Sequence, residues 1–344
     1  MNLNKSIVIN WHVTERCNYG CKHCFAKWGK QTEIWNNSAD VEKIIANISK
    51  HFRSQGYFQI RLNIVGGEPI MCPERLWNVV ETAYKHNMET SIITNGSHLE
   101  NIRPFAHLIS QVGISVDSLD HQTNLNIGRE SEGKTISFEQ LHQKINDIRK
   151  VNPDIKIKLN TVVNTFNYNE ILVDRFAQLH IDKWKIFRQM PFNGNGGISD
   201  YKFNAFIRNN YNEELLQKNV PVHQNPIEAL YMTDFVSDEK KDDETSNKQV
   251  IFIEDNNAMT ESYLMISPDG RFFQNGSKEY SYSRPLTEVS LEEALSDIKF
   301  DSTKFEERYE QWSTTIAVNE ANAFFHVNDD DIGDFDCFCD LKDD

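Results

Sequence analysis

Three cysteines lie within eight residues of the chain, in the stretch CNYGCKHC at positions 17–24. Cys17, Cys21 and Cys24 have the spacing C-x3-C-x2-C, and the whole chain of 344 residues contains six cysteines. Thiolates this close together bind soft metals such as zinc or iron. The pattern SIVINWHV before them predicts a strand, so we expect the thiols on a loop at its end.

Two kinds of metal centre suit three thiolates. A structural zinc site needs a closed set of four ligands, and the fourth could come from His23, Cys337 or Cys339. A ligating His23 would strain the loop, because it lies between two of the cysteines. An iron–sulfur cluster of four irons can instead be held by three cysteines, which leaves one iron with an open position. We favour the cluster and keep zinc as the alternative.

The first 190 residues alternate strand patterns with helix patterns. Helices are predicted after a cap at Ser38, over 73–86 and over 138–150, and strands over 6–13, 58–65, 90–95, 112–117, 155–164 and 182–189. Such repeats predict parallel strands with right-handed crossovers. We therefore expect an α/β fold, a partial (β/α)6 barrel over residues 1–190, with ligands at the C-terminal ends of its strands.

The alternation weakens after residue 190. Residues 191–344 are expected to form a C-terminal extension that closes the barrel mouth within the same compact unit. It is predicted to contain a Gly- and Asn-rich loop, a charged insertion, a hairpin with a Pro-Asp-Gly turn and a helix with a Ser290–Glu293 capping box, the first three over residues 191–200, 237–249 and 262–275.

The composition excludes several classes of protein. A net charge of −15 argues against a duplex-DNA binder held by counterion release. No segment reaches the roughly 18 apolar residues of a membrane-spanning helix, and six cysteines are too sparse for a disulfide scaffold. We expect a cytoplasmic protein without a DNA or membrane partner. A phosphate-bearing ligand would need a local basic pocket.

Polar residues follow the ends of successive predicted strands. Two glycines after the second strand let the backbone approach a ligand closely, and a glutamate beside them supplies a charge acceptor. Taken singly, each of these residues also suits an ordinary loop that satisfies its own backbone groups. The candidate ligand-binding residues are Gly66, Gly67, Glu68, Asn95, Ser115 and Arg129.

The cysteine spacing at the end of a first barrel strand resembles the radical S-adenosylmethionine (SAM) superfamily. In that superfamily three cysteines hold a [4Fe–4S] cluster, and the open iron binds the amino and carboxylate groups of SAM. The resemblance implies that this protein uses a [4Fe–4S] cluster and SAM. It assigns Cys17, Cys21 and Cys24 to the cluster and the six strand-end residues to SAM.

Within that superfamily the chain is similar to the viperin-like enzymes, from about residue 8 to about residue 300 and least between about 190 and 260. The segments that carry the similarity are NWHVTERCNYGCKHCF, RLNIVGGEP, SIITNGS, ISVDSLDHQTNLNIGR, IKLNTVVNTFN, KWKIF and SYLMISPDGRF. The similarity implies a dehydratase that abstracts hydrogen from C4′ of a ribonucleoside triphosphate such as CTP, UTP or GTP. Its 3′-deoxy-3′,4′-didehydro product terminates polymerase chains, which implies an antiviral, anti-phage role. It also implies an external electron donor such as flavodoxin or ferredoxin.

A triphosphate must be met by cationic side chains at close range. Because strand residues alternate between two faces, pairs two apart share a face. The candidates are Arg61 on the second strand, Lys158 with Asn160 on the fifth, and Lys183 with Lys185 on the sixth. In the alternative arrangement, Lys183 and Lys185 point outward. The family has lysine and arginine where this chain has Arg61 and Lys183, which changes the contact geometry.

Further residues carry expectations from the similarity. Tyr263 lies where the family has a tyrosine assigned as hydrogen donor or electron relay; the alternative is a tyrosine that only packs. The membrane-tethering helix and C-terminal tryptophan of animal members are not expected here, and Cys337 with Cys339 could hold an auxiliary metal. Two rival functions stay open: a radical SAM enzyme acting on a peptide or other small molecule, and a metal-stabilised interaction protein.

Overall fold

The structure is a computed structural model, which describes residues 5–26, 32–191, 196–210, 250–254, 261–274, 280–301 and 303, with no side chains for 250, 252 and 254. All of these residues belong to one compact unit. The predictions about residues 237–249, Cys337 and Cys339 lie outside the described residues. The boundary at residue 190 and the closing of the barrel mouth stay predictions.

The strands form one sheet, in the order β10-β9-β8-β1-β2-β3-β4-β5-β6-β7. Strands β1 to β7 run parallel to their neighbours, β8 runs parallel to β1, and β9 and β10 are antiparallel. The strands are β1 (Lys5–His12), β2 (Tyr57–Val65), β3 (Glu89–Thr94), β4 (Gln111–Ser115), β5 (Lys156–Val163), β6 (Lys183–Arg188), β7 (Val250–Glu254), β8 (Leu264–Ile266), β9 (Arg271–Gln274) and β10 (Ser281–Pro285). The predicted partial barrel with a C-terminal extension is confirmed.

Helical segments connect the first six strands. The α-helices are α1 (Ser38–Ser54), α2 (Pro73–Lys85), α3 (His121–Ile127), α4 (Phe138–Val151), α5 (Val173–Ala177), α6 (Asp200–Asn210) and α7 (Leu291–Ser296), and 3-10 helices cover Ile34–Asn36, Pro69–Met71 and Leu99–Leu108. Among these described segments, none is long and apolar enough to cross a membrane.

Of the two helix caps predicted from the sequence, the structure has one as predicted and one at a different residue. The predicted capping box of Ser290 and Glu293 is confirmed at the start of α7. The predicted cap at Ser38 is wrong: Asn37 has extended backbone and its side chain accepts a hydrogen bond from Ala39 N at 3.0 Å. Ser38 is therefore the first helical residue, because Asn37, an equally good cap, has the extended backbone that the cap position requires.

The two faces of the sheet differ in polarity. On the outer face of β6, Trp184 is fully buried between Phe176 of α5 and Phe206 of α6. Its indole Nε1 donates to Thr161 Oγ1 at 2.9 Å. Because neighbouring strand residues face opposite sides, Lys183 and Lys185 lie on the inner face. The arrangement with these lysines pointing outward is therefore wrong.

Candidate active site

The three thiols lie on the loop that follows β1 and docks on the end of α3. Gly20 N donates to Gly128 O at 3.1 Å, and Lys22 N donates to Ile127 O at 2.9 Å. Gly128 has a φ of +83°, in the left-handed region, and a Cβ there would lie 2.5 Å from Gly20 O. Only glycine fits at this helix end, so the loop and α3 specify each other.

None of the three thiols is in a disulfide bond. Cys17 is exposed, while Cys21 and Cys24 are partly buried. Burial raises the pKa of Cys17, and it raises the pKa of Cys21 to about 11. These two thiols are thus protonated at neutral pH, and binding a metal must displace their protons. Across the residues that the structure describes, no three His, Cys, Asp or Glu side chains are grouped to hold one metal ion.

The two glycines after β2 pack against the backbone that leads into the thiol loop. Gly67 N donates to Thr14 O at 2.7 Å, and Glu68 N donates to Arg16 O at 2.7 Å. A Cβ on Gly66 would lie 2.6 Å from Thr14 O, and one on Gly67 would collide with Arg16 O. The sequence predicted that these glycines approach a ligand. Their observed partner is the protein's own cysteine segment.

Glu68 is a buried carboxylate shared between two strand ends. Its Oε1 accepts from Thr94 Oγ1 at 2.8 Å and Ile70 N at 3.2 Å, and its Oε2 accepts from Asn95 N at 2.6 Å. Burial raises the pKa of Glu68 to about 7, against the lowering effect of these hydrogen bonds. A cation bound beside it would favour the ionised form, so Glu68 suits an ammonium group.

Three of the predicted SAM-binding residues line one cavity beside the thiol loop. The cavity is lined by residues that include Tyr19, Asn95, Ser115, Ser118, Asn124 and Arg129. Asn95 also joins the cavity to the thiols, because its Nδ2 donates to Asn18 Oδ1 at 2.8 Å and lies 3.8 Å from Cys17 Sγ. The structure thus brings Asn95, Ser115 and Arg129 together.

Asp117 holds the guanidinium at this cavity. Its Oδ2 accepts from Arg129 Nε at 2.7 Å and lies 3.4 Å from His23 Nε2, while its Oδ1 accepts from Val162 N at 2.8 Å. Burial alone would lower the pKa of Arg129, but the charge and hydrogen bond of Asp117, together with Cys21 and Tyr19, raise it. The guanidinium stays charged and suits a carboxylate ligand. Sequence reasoning missed this role of Asp117.

The predicted substrate residues of β5 and β6 are neighbours on the inner face. Lys158 pairs in register with Lys183, and Asn160 pairs with Lys185. Gly113 of β4 is the register partner of Lys158, and a Cβ there would lie 2.9 Å from Lys158 Cε. The missing side chain leaves the space that Lys158 fills. No pattern in the sequence marks this glycine beyond its place in a strand.

Tyr263 reaches the same inner face from the start of β8. Lys185 Nζ donates to Tyr263 Oη at 3.1 Å. Gln274 Nε2 donates to the Tyr263 carbonyl at 2.9 Å, which fixes the backbone that carries the ring. Tyr263 therefore contacts one of the predicted substrate lysines.

Arg61 lies on the inner face of β2, two residues before Asn63. Asn63 belongs to a buried chain in which Ser91 Oγ donates to Asn63 Oδ1 at 2.9 Å and Asn63 Nδ2 donates to Asn10 Oδ1 at 2.6 Å. Sequence reasoning missed this chain, whose signal is the polar residues inside strands β1 to β3. Within the part of the chain that the structure describes, neither Arg61 Nε nor Asn160 Oδ1 has a hydrogen-bond partner. Unpaired buried polar atoms are costly, so both favour a polar ligand.

The sequence matches the Radical SAM superfamily over residues 11–175. It is 55% identical to the "S-adenosylmethionine-dependent nucleotide dehydratase" of Fibrobacter sp. (strain UWH6), over 100% of this chain and 99% of that protein. The proteins with the same description from Psychrobacter lutiphocae and Pseudoalteromonas ulvae are 37% and 31% identical, over 90% and 92% of this chain and 97% and 96% of theirs.

Solved structures share the fold at low sequence identity. "Native anSMEcpe with bound AdoMet and Cp18Cys peptide" has a TM-score of 0.59 at 15% identity, over 91% of this chain and 84% of that chain. Streptococcus suis SuiB bound to S-adenosylmethionine has a TM-score of 0.52 at 16% identity, over 88% and 68%.

The cofactors of this superfamily are a [4Fe–4S] cluster and SAM, and the residues present fit both. Cys17, Cys21 and Cys24 lie on one loop outside any disulfide, and three thiols on one loop are the ligand set that such a cluster would need. A buried carboxylate and a buried guanidinium, those of Glu68 and Arg129, match the two charges of an amino-acid ligand. The match to the superfamily and the identity to relatives over their full length agree with this geometry. The chain belongs to the radical SAM superfamily and, within it, to the family of S-adenosylmethionine-dependent nucleotide dehydratases.

Proposed function

We propose that this enzyme dehydrates a ribonucleoside triphosphate, such as CTP, UTP or GTP, to its 3′-deoxy-3′,4′-didehydro analogue. The observation that carries the proposal is a set of cations on the inner face of the barrel, in a chain with a net charge of −15. Arg61, Lys158, Lys183 and Lys185 lie on that face, below the strand ends that line the cofactor cavity. A globally acidic protein needs such a local cluster to hold a polyanion.

The cofactor residues act by orientation. When bound, the [4Fe–4S] cluster and SAM supply a 5′-deoxyadenosyl radical, which takes the hydrogen atom from C4′. Glu68 is proposed to hold the SAM amino group, since its carboxylate is already fixed by three donors. Arg129 and Ser115 are proposed to hold the SAM carboxylate, and Asn95 to orient the ligand between them. Gly66 and Gly67 act indirectly, by letting the thiol segment and β2 meet.

The substrate residues hold the triphosphate and fix the sugar. The four cations neutralise the phosphate charges, and the unpaired Asn160 Oδ1 accepts a hydrogen bond from the ligand. Arg61 contributes its unpaired Nε as a donor. After hydrogen abstraction, the 3′-hydroxyl leaves with a proton as water, and one electron completes the double bond.

Tyr263 is proposed as the catalytic side chain that delivers a proton or relays the electron. Its phenol oxygen accepts a hydrogen bond from Lys185 Nζ at 3.1 Å, which places the phenol beside the cations proposed to hold the triphosphate. A nearby ammonium also stabilises the phenolate that remains after proton transfer. The role requires that the ring stay in place, which the Gln274 contact to its carbonyl provides.

The proposal includes a protein electron donor such as flavodoxin or ferredoxin, a cytoplasmic setting and a chain-terminating product that acts against phage. A reducing compartment agrees with four cysteines that form no disulfide, Cys17, Cys21, Cys24 and Cys72.

The test is an anaerobic incubation of the reconstituted enzyme with SAM, dithionite and one of CTP, UTP, GTP or ATP. Mass spectrometry should find 5′-deoxyadenosine together with a nucleotide lighter by one water, and the best substrate shows the base preference. A 3′-deoxynucleotide is the matched control, because it lacks the leaving hydroxyl and must give no dehydrated product. Slow, equal formation of 5′-deoxyadenosine in every tube, with no lighter nucleotide, would overturn the proposal and favour a peptide or other substrate.

A further inference from the structure

Glu33 is a buried carboxylate at the base of the thiol loop. Its side chain is 7% exposed, and its Oε1 accepts from Thr14 Oγ1 at 2.6 Å. Its Oε2 accepts from the indole Nε1 of Trp35 at 3.2 Å, and Trp35 is fully buried. Nothing in the sequence motif of the cysteines points to Glu33, which lies nine residues after Cys24.

The contact between Thr14 and Glu33 closes the loop that carries all three thiols. Thr14 precedes Cys17, and Glu33 follows Cys24, so the hydrogen bond joins the two ends of this loop. Thr14 Oγ1 also accepts from Arg16 N at 3.0 Å, which fixes the residue just before Cys17. The position of the Cys17 thiol therefore depends on the orientation of the Thr14 hydroxyl.

The same short segment meets the SAM-binding strand on its other side. The carbonyls of Thr14 and Arg16 accept from Gly67 N and Glu68 N, each at 2.7 Å. Residues 14–16 are thus held between Glu33 and the Gly66–Glu68 segment. A shift at Glu33 would move the thiol loop and the carboxylate of Glu68 together.

Two arginines surround the Glu33 carboxylate. Arg16 Nε lies 3.6 Å from Oε1, and Arg75 Nη1 of α2 lies 3.7 Å from Oε2. These cations offset the cost of burying the charge. A neutral side chain of the same shape at position 33 would therefore leave Arg16 and Arg75 without this counter-ion.

We propose that Glu33 is a positioning residue for the iron–sulfur site: it closes the thiol loop through Thr14 and couples it to the SAM-binding strand. It touches neither cofactor and acts through Thr14 and Arg16. The inference does not depend on the nucleotide substrate. When a residue that supports the metal ligands without binding the metal is lost, metal affinity typically changes by about 10–100-fold.

The test measures iron release from the reconstituted holoenzyme to a colorimetric ferrous chelator without oxygen. Glu33→Gln keeps the shape but removes the charge between Arg16 and Arg75 and one of the two acceptor oxygens, and Thr14→Val removes the hydroxyl. We expect both to release iron about ten-fold faster than the wild type. Thr14→Ser keeps the hydroxyl and should restore the wild-type rate.

Asp182 offers a matched control at the opposite end of the strands. Its Oδ2 accepts from Ile157 N at 2.7 Å, and Arg149 and Lys156 lie 3.8 and 3.7 Å from its carboxylate. Asp182→Asn removes a comparable carboxylate between two cations, but far from the thiol loop. It should lower the melting temperature without changing the rate of iron release.

Hydrogen exchange of the metal-free proteins gives a second readout. Glu33→Gln should speed exchange at the amides of Arg16, Gly67 and Glu68, and Asp182→Asn should speed it at Ile157 instead. Wild-type iron release from both Glu33→Gln and Thr14→Val would overturn the proposal. So would equal acceleration in Asp182→Asn, because the effect would then follow general stability.

Discussion

The cofactor edge and the inner face of the barrel differ in how their polar groups are satisfied. At the cofactor edge, Glu68 and Asp117 each accept several hydrogen bonds from the protein itself. On the inner face, Arg61 Nε and Asn160 Oδ1 have no partner among the described residues. The two carboxylates of the cofactor edge are held by the protein itself, although Asn124 Oδ1 in the same cavity has no partner among the described residues. The difference indicates that the charged groups of the cofactor edge are positioned in advance, whereas a charged side chain of the inner face keeps a donor available to a polar ligand.

The largest effect is expected from removing one thiol. Cys17→Ala should abolish both the visible absorbance of the cluster and 5′-deoxyadenosine formation, because one iron loses its protein ligand. Cys72→Ser is the matched control, since Cys72 is also a free cysteine but lies outside the loop. Full 5′-deoxyadenosine formation by Cys17→Ala would contradict the assignment of the cluster ligands.

The pH dependence of stability tests the buried carboxylate of the cofactor edge. Because the folded-state pKa of Glu68 is about 7, above its ordinary value, folding favours the protonated form. The stabilisation that Glu68 contributes is complete below about pH 4.5 and is lost as the pH rises to about 7. The free energy of unfolding changes by about 3 kcal/mol over this range. Urea unfolding at several pH values measures the difference in the free energy of unfolding between the metal-free wild type and Glu68→Gln. A difference between the two that stays constant with pH would contradict the raised pKa.

Removing a cation of the inner face should weaken binding of the nucleotide without weakening binding of SAM. Lys158→Met is expected to raise the KM for the nucleoside triphosphate by about 10–100-fold, since a charged hydrogen bond contributes about 1.5–3 kcal/mol. SAM binding should not change. Lys156→Met is the control, because Lys156 lies two residues earlier on the same face and pairs with Asp182 instead. Equal effects of the two substitutions on KM would show that Lys158 does not bind the triphosphate.

The smallest effect concerns the contact of two backbones at the cofactor edge. A methyl group at Gly67 collides with Arg16 O, whereas a methyl group at Gly20 meets nothing within 4 Å. Gly67→Ala should therefore lower the free energy of unfolding by about 1–3 kcal/mol. Gly20 also lies in the thiol loop, but Gly20→Ala should leave the free energy of unfolding unchanged. Chemical denaturation of the metal-free proteins compares them, and equal stabilities would refute the close approach.

The two regions also differ in how far the sequence predicted them. The cysteine spacing and the strand-end residues are local signals, and the structure brings Asn95, Ser115 and Arg129 to one cavity. The alternation of charged and apolar residues in β6 predicted which side chains share a face. Their roles toward SAM and the nucleotide stay predictions.

The residues that sequence reasoning missed depend on contacts between distant segments. Gly113 matters because Lys158 of another strand fills the space above it. Glu33 matters because the chain returns to Thr14, and Asp117 because Arg129 and His23 reach it from two other elements. No spacing within a single element encodes such contacts. Asn37 is a smaller case, where two good caps were adjacent and the backbone selected one.

Trp184 also protects the enzyme against a folding error. If β6 paired with its neighbours one residue out of register, the indole would enter the polar interior, and Lys183 and Lys185 would face Phe176 and Phe206. Burying two ammonium groups against aromatic rings without counter-ions is strongly unfavourable. The shifted register is thus strongly disfavoured, so Trp184 keeps both lysines on the inner face of the barrel.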